Sequence, residues 1–347
     1  MDEFAEAEQV AGALAEPGAA ATLLAVQHPH RTPDAIASGL ALPDTLPAAR
    51  AALGELLGST YREVTDVLAP YRVTGPDGTA LGVLCVVDPD SVAATGARQV
   101  RQGEQVYPEV VADRATVLSG LRVATSAAML VPISTGDSLT GALERACTEL
   151  GPPELSTVDS AGRRRELWLL GQGALADGVL AAARGGPLLV ADGNHRVAAA
   201  RYAGLGGLLA LVTAGPALRV GPIHRALVGV ALSADELATV WRGLGLDVVD
   251  GTPAVQPEHP GWVTAVVGEH ALRVRLPEPE PGEPLPRIDH DVVERFLVGE
   301  ALGVDQDSAA LRPFNRYGYS RCPLWRSAGG VVPAESGPLR AASHLGR

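Results

Sequence analysis

The 347-residue chain contains no lysine; all 28 of its basic residues are arginine. A Walker-type phosphate loop, a Schiff-base enzyme and a protein-kinase-like ATP site each depend on a lysine, so these three classes are excluded. Anions must be handled by Arg, His, backbone N–H groups or a metal. Aromatic residues make up only 4% of the chain, which leaves Ala, Leu and Val to build the core. The three cysteines, Cys85, Cys147 and Cys322, are far apart, odd in number and form no C-x-x-C pair. Neither a disulfide framework nor a structural zinc site follows from them. No apolar run reaches the roughly 18 residues of a membrane-spanning helix. The acidic N-terminal stretch lacks the basic-then-apolar order of a secretory signal, so a cytoplasmic protein without a membrane partner is expected. The net charge of −12 argues against nucleic acid as a partner, because phosphate backbones need a basic face.

What is present is an apolar fraction of 46%, with 40 Gly and 27 Pro, the mark of a turn-rich globular chain. Residues 21–26 (ATLLAV) form a short apolar run, read as a strand, and HPHRTPD follows as a loop. Helical spacing marks 46–59 and 109–125. A helix is also expected over 137–151, with Asp137 as N-cap and Gly151 as C-cap. Gly75-Pro76-Asp77-Gly78 is a hairpin turn before a strand at 80–87, and 262–277 reads as a second hairpin. Strands are expected at 126–134, 158–171 (through a turn) and 188–191. Further strands are read in GLLALVTAG and ALRVGPIHRAL, a capped helix in SADELATVWRG and a helix over 289–303. Irregular alternation with hairpin-paired strands predicts an α+β fold with mixed sheets.

The segment GGPLLVADGNHRVAAARYAG (185–204) carries the sharpest signal. A buried strand runs into a helix through Asp192-Gly193-Asn194-His195-Arg196. A helix N-terminus presents unpaired N–H groups and a partial positive charge, and thus suits an anion. Gly193 allows close backbone approach. His195 and Arg196 sit against the helix dipole, as residues kept for function do. In the alternative reading Asp192 merely caps the helix and the two basic side chains are solvated. His28 and His30 flank a proline and are either plain loop residues or a pair of metal ligands. Asp289-His290-Asp291 carries the same pair of readings. No G-x-S-x-G elbow, Rossmann fingerprint or helix-turn-helix pattern occurs.

LLVADGNHRVAAARYAG resembles the signature of the family called domain of unknown function 1015, which includes free serine kinase-like proteins. VRQGEQVYPEVVADRATVL (100–118) is similar to the family's His-Glu segment and the helix after it, keeping Glu104, Asp113 and Arg114. GRRRELWLL, GPIHRAL and RIDHDVVERFLVGEALG resemble further pieces in the same order, over about residues 20 to 305. The resemblance implies a ParB/sulfiredoxin-like core with added hairpins and helices, in which the strand–DGNHR–helix turn binds phosphate. The expected activity is phosphoryl transfer from ADP, ATP or pyrophosphate, with Mg2+, to free L-serine or a serine-like hydroxyl metabolite. The implied roles are Glu104 as base or hydroxyl-orienting group, with Asp192 holding the metal or the hydroxyl. Gly193, Asn194, His195 and Arg196 would bind the phosphate, together with Arg225 at the neighbouring strand end.

The chain also departs from the family pattern. Gly103 stands where the family has His, and Asn194 where sulfiredoxins carry a reactive Cys. The family's Pro-Pro-Tyr-Asp and Lys-Ser-Thr segments are missing. A catalytically silent nucleotide- or phosphate-binding or regulatory protein of the same fold is therefore the alternative. The expected organisation is an N-terminal helix or diverged start over 1–22, a family-like α+β region over 23–305 and an irregular basic tail over 306–347. From Arg312 onward the tail has six Arg and one acid.

Overall fold

Short apolar runs do not by themselves choose between strand and helix, because partners decide which backbone groups are satisfied. In the computed structural model the N-terminal run becomes helical. The structure describes residues 7–75, 78–103, 106–159, 162–215, 224–251, 261–278, 292–305, 310–314 and 330–333. By internal contacts the chain forms two units, Met1–Leu218 (with the chain end) and Arg219–Leu339.

The first unit opens with helices α1 (Ala7–Leu14), α2 (Leu23–Gln27), α3 (Pro33–Ala37) and α4 (Leu42–Ser59). The expected strand at 21–26 is thus α2. One helical face sets Val26 among Leu46, Ala49, Leu53 and Leu56 of α4. The expected loop after it is also ordered, as a 3-10 turn over Pro29–Arg31 followed by α3. Proline at the first helical position has no N–H to lose, which suits both starts.

A mixed eight-stranded sheet follows. The hairpin β1 (Ala69–Gly75) and β2 (Gly78–Val87) pairs in register up to Gly75 opposite Gly78. Then come β3 (Val100–Arg101), α5 (Pro108–Leu121), β4 (Ala128–Pro132), α6 (Gly136–Leu150), β5 (Leu155–Val158) and β6 (Arg164–Leu167). The unit continues with α7 (Ala174–Ala183), β7 (Leu188–Asp192), α8 (Asn194–Tyr202) and β8 (Leu208–Ala214). The strand order is β3-β7-β4-β8-β2-β1-β6-β5. β3 runs parallel to β7 and β4 parallel to β8, while the other neighbours are antiparallel. The fold is α+β with a mixed sheet, as the hairpin signals indicated. Leu139 and Leu143 of α6, Val179 of α7 and Val197 of α8 pack with Leu130, Val190 and Val212 of the central strands. Asp137 lies inside the first turn of α6 rather than capping it; Thr135 is the cap residue and its side chain makes no capping bond. Gly151 ends the helix at φ 78°, as expected for its type.

The second unit contains β9 (His224–Leu227), α9 (Ala234–Gly243), β10 (Val248–Gly251), β11 (Trp262–Val267) and β12 (His270–Arg275). A π-helical segment (Val293–Glu300), β13 (Leu311–Phe314) and β14 (Gly330–Pro333) complete it. Its sheet is antiparallel in the order β10-β12-β11-β14-β9-β13. Helix α9 starts with a reciprocal capping box between Ser233 and Glu236. Trp241 is fully buried and its indole N–H donates to the Leu297 carbonyl at 3.1 Å. The stretch read as an irregular tail thus supplies two strands. Pairing with β9 and β11 selects them, which no local period announces. Among the described residues no helix is long and apolar enough to cross a membrane.

Candidate functional site

Strand β7 delivers Asp192 to Gly193, which takes the left-handed conformation (φ 91°, ψ 33°) and turns the chain into α8. Space dictates glycine as well as conformation. A Cβ there would lie 3.2 Å from the Cα of Ala128 on β4 and 3.1 Å from the Arg196 guanidinium carbon. The close approach that Gly193 permits is therefore to the neighbouring strand of the protein itself.

Neither half of the solvated-cap reading holds. No side chain caps α8. Asp192 instead accepts from Arg196 Nη2 at 2.8 Å, one turn ahead, and the Ala127 carbonyl accepts from Nη1. The Arg196 side chain is only 11% exposed, whereas that of Asp192 is 43% exposed. The guanidinium is thus held rigidly across the mouth of the turn, its charge balanced in part by one half-exposed carboxylate. Asn194, at the first helical position, is 1% exposed, and among the described residues its amide oxygen and nitrogen both lack a hydrogen-bond partner. A buried amide left unpaired costs about 1–3 kcal/mol, so such a group is rare without a ligand or a role.

His195 is held by a different partner. The Tyr107 N–H donates to its Nε2 at 3.0 Å, and the two rings stack with centroids 5.5 Å apart. Burial above all, then the charge of Arg114, pushes its pKa down to about 4. The imidazole is therefore neutral near pH 7, with Nε2 an acceptor and its proton on Nδ1. The expectation of a cationic phosphate ligand at this position is replaced by a neutral ring with one N–H to give.

Glu104 lies outside the described residues, but both flanks of its segment are tied to the turn. Gln102 Nε2 donates to the Asn194 carbonyl at 3.0 Å, and Tyr107 holds His195 as described. Arg201 of α8 in turn donates to Gln102 Oε1 and to the carbonyls of Pro89 and Val100. Arg225 belongs to the second unit, where its buried guanidinium donates to Glu294. Asp289, His290 and Asp291 fall outside the described residues.

A cavity of about 210 Å3 lies beside the turn. Arg196 closes one side; Asp113 and Arg114 of α5 form another; Gln27, His28, His30 and Arg31 come from α2 and the 3-10 turn. The Thr125 hydroxyl donates to Gln27 Oε1 at 2.8 Å and ties the N-terminal helices to the segment before β4. Sequence spacing could not place Arg31 or Gln27 beside Asp113 and Arg114, because more than eighty positions separate them. Among the described residues no three His, Cys, Asp or Glu side chains group as a metal site, so the ligand reading of His28 and His30 has no third partner. The two described thiols are not among its lining residues; burial pushes the Cys85 thiol up to about 11 and raises that of Cys147.

The family model described as "Protein of unknown function (DUF1015)" matches residues 58–276, well over half of the chain. The chain belongs to this family. The DUF1015 stretch includes the turn, α5 and the sheet, whereas α1 to α4 precede it almost entirely. Among curated proteins none matches. Among solved structures, SbnI with C-terminal truncation from Staphylococcus aureus is similar at 11% identity and a TM-score of 0.35, over 75% of this chain and 77% of that one.

Proposed function

We propose that this DUF1015 protein is a small-molecule phosphotransferase with a ParB/sulfiredoxin-like core, holding the transferred phosphate at the Gly193–Arg196 turn. The carrying observation is the buried Asn194 amide, without a partner among the described residues, at the N-terminus of a nine-residue helix. Helix N–H groups, that amide, the His195 Nδ1–H and the fixed Arg196 are donors of the kind that neutralise a phosphoryl group. The acceptor is free L-serine or a serine-like hydroxyl metabolite, and the donor is ADP, ATP or pyrophosphate. The acceptor hydroxyl oxygen forms the new bond to phosphorus as the bond to the donor's bridging oxygen breaks. The hydroxyl proton passes to a carboxylate, for which Glu104 is the assignment because both flanks of its segment are tied to the turn.

Mg2+, where bound with the donor, would need only one or two protein carboxylates. Asp192 is the carboxylate that the turn offers, and its bond to Arg196 must loosen for it to serve. A silent phosphate-binding member of the family is the second reading. It is favoured by the mutual satisfaction of Asp192 and Arg196 and by the neutral, already bonded His195.

Incubation of the purified protein with L-serine, Mg2+ and each donor, followed by detection of phosphoserine, tests the transfer. Product formation that is lost in both Glu104→Gln and Arg196→Ala supports the assignment. Turnover unchanged in both variants overturns it. Saturable binding of phosphate or nucleotide without product selects the silent reading.

A further inference from the structure

Strand β5 closes one end of the eight-stranded sheet and, among the described residues, pairs with β6 alone. Every residue of it is exposed, including Leu155 at 64% and Val158 at 54%. Its hydrogen-bonding direction follows from its neighbours. The Asp159 N–H donates to the Arg163 carbonyl at 3.0 Å, and along an antiparallel pair bonded and non-bonded positions alternate. Thr157 and Leu155 therefore also turn their backbone groups toward β6. The N–H and C=O groups of Ser156 and Val158 point the other way, to the open edge. Just after β6, the Trp168 N–H donates to the Pro70 carbonyl of β1 at 3.0 Å, which gives the same alternation. Exposed edges are commonly blunted by a lysine, a proline, a bulge or an inward-pointing charge. Strand β5 has none of these: it reads Leu-Ser-Thr-Val, and its register with β6 is unbroken.

The charges at both ends of the strand are already matched. Glu154 accepts from Arg62 at 2.7 Å, and Asp159 from Arg165 at 2.8 Å. Arg62 also brings the exposed Tyr61 and Val64 to this margin of the sheet. The whole chain carries −12, but here Arg62, Arg164 and Arg165 offset Glu154, Asp159 and Glu166, so this edge does not repel its own copy.

We propose that β5 is a dimer interface, at which a second copy of this chain adds antiparallel across a two-fold axis and continues the sheet. The pairing that uses both outward residues sets Ser156 opposite Val158 of the second copy, each such pair exchanging both N–H···O bonds. Thr157 then meets Thr157 of the second copy on the axis, at a non-hydrogen-bonded position where side chains approach closely and threonines pair favourably. An antiparallel edge is its own complement, and two-fold dimers are the commonest homo-oligomers. In the strand order β5 is six places from β7, so the interface leaves the Gly193 turn open and goes beyond the function proposed above.

Sedimentation velocity of the full chain, over concentrations bracketing the micromolar region where small interfaces associate, should show a monomer–dimer equilibrium. Val158→Pro removes an N–H that β6 does not use, so loss of the dimer at unchanged thermal stability is expected. Thr157→Arg sets like charges face to face on the axis and should also be monomeric; it decides alone if Val158→Pro does not fold. Thr157→Cys reads the register. Non-hydrogen-bonded pairs hold their Cα atoms about 4.5 Å apart, within the span of a disulfide, so oxidation with diamide should link two chains. Ser156→Cys, which faces Val158 of the second copy, should not link them, and the wild-type chain oxidised in parallel accounts for Cys85, Cys147 and Cys322. A wild type that stays monomeric throughout, or a dimer that survives both Val158→Pro and Thr157→Arg, overturns the proposal. Linking through Ser156→Cys but not Thr157→Cys overturns the pairing.

Discussion

The backbone N–H of Tyr107 donates to His195 Nε2 at 3.0 Å, and the imidazole lies stacked on the Tyr107 ring. This pair joins the segment after Glu104 to the first turn of α8, while burial, and after it the charge of Arg114, sets the charge state of the histidine. With its pKa pushed down to about 4, His195 enters the folded state neutral, while in the unfolded chain it protonates near 6.5. Between those values the unfolded chain binds the extra proton, so stability falls as the pH drops from about 6.5 towards 4. Thermal unfolding followed across that range should show this loss, and His195→Gln should flatten it. An imidazole NMR titration should find His195 uncharged at pH 6.

Gly193→Ala combines strain and collision. An L-residue in the left-handed region costs on the order of 1–3 kcal/mol, and here the new Cβ also presses on Ala128. Denaturant unfolding should show a loss at the upper end of that range. Gly193→Asn, which tolerates the left-handed region better, collides all the same and should recover little.

Asn194 is a trade of stability for binding. Replacing its unpaired amide with the similarly shaped leucine removes a buried desolvation penalty, so Asn194→Leu should be neutral or stabilising by roughly 1 kcal/mol in the ligand-free protein. The same variant should lose phosphate binding, read as the disappearance of the phosphate-induced rise in melting temperature. A destabilised Asn194→Leu protein that still binds phosphate would show that the amide serves packing alone.

Arg225 and Glu294 form a buried pair within the second unit, at 7% and 12% side-chain exposure. Removing one partner strands the other charge, so Glu294→Ala should cost about 3–5 kcal/mol in chemical unfolding. The double replacement Arg225→Met with Glu294→Leu should recover most of that loss, because no charge is then left stranded.

Local chemistry determined a good part of this protein from sequence alone. The β1–β2 hairpin, the Ser233–Glu236 capping box and the strand-to-helix switch at Gly193 each rest on interactions within a few residues, so composition and spacing reveal them. The absence of lysine likewise settles by itself which phosphate-handling chemistries are closed. Long-range pairing decided the rest. ATLLAV became a helix because α4 offered it an apolar face. Residues 311–314 and 330–333 became strands because β9 and β11 had free edges for them. His195 became a neutral ring because burial, and after it the charge of Arg114, acted on it, and the Tyr107 N–H found its Nε2 as an acceptor. Arg31 and Asp113 came to share a cavity although 82 positions separate them. No periodicity encodes such a meeting, because it depends on how two helical layers pack, and only the tertiary structure decides that.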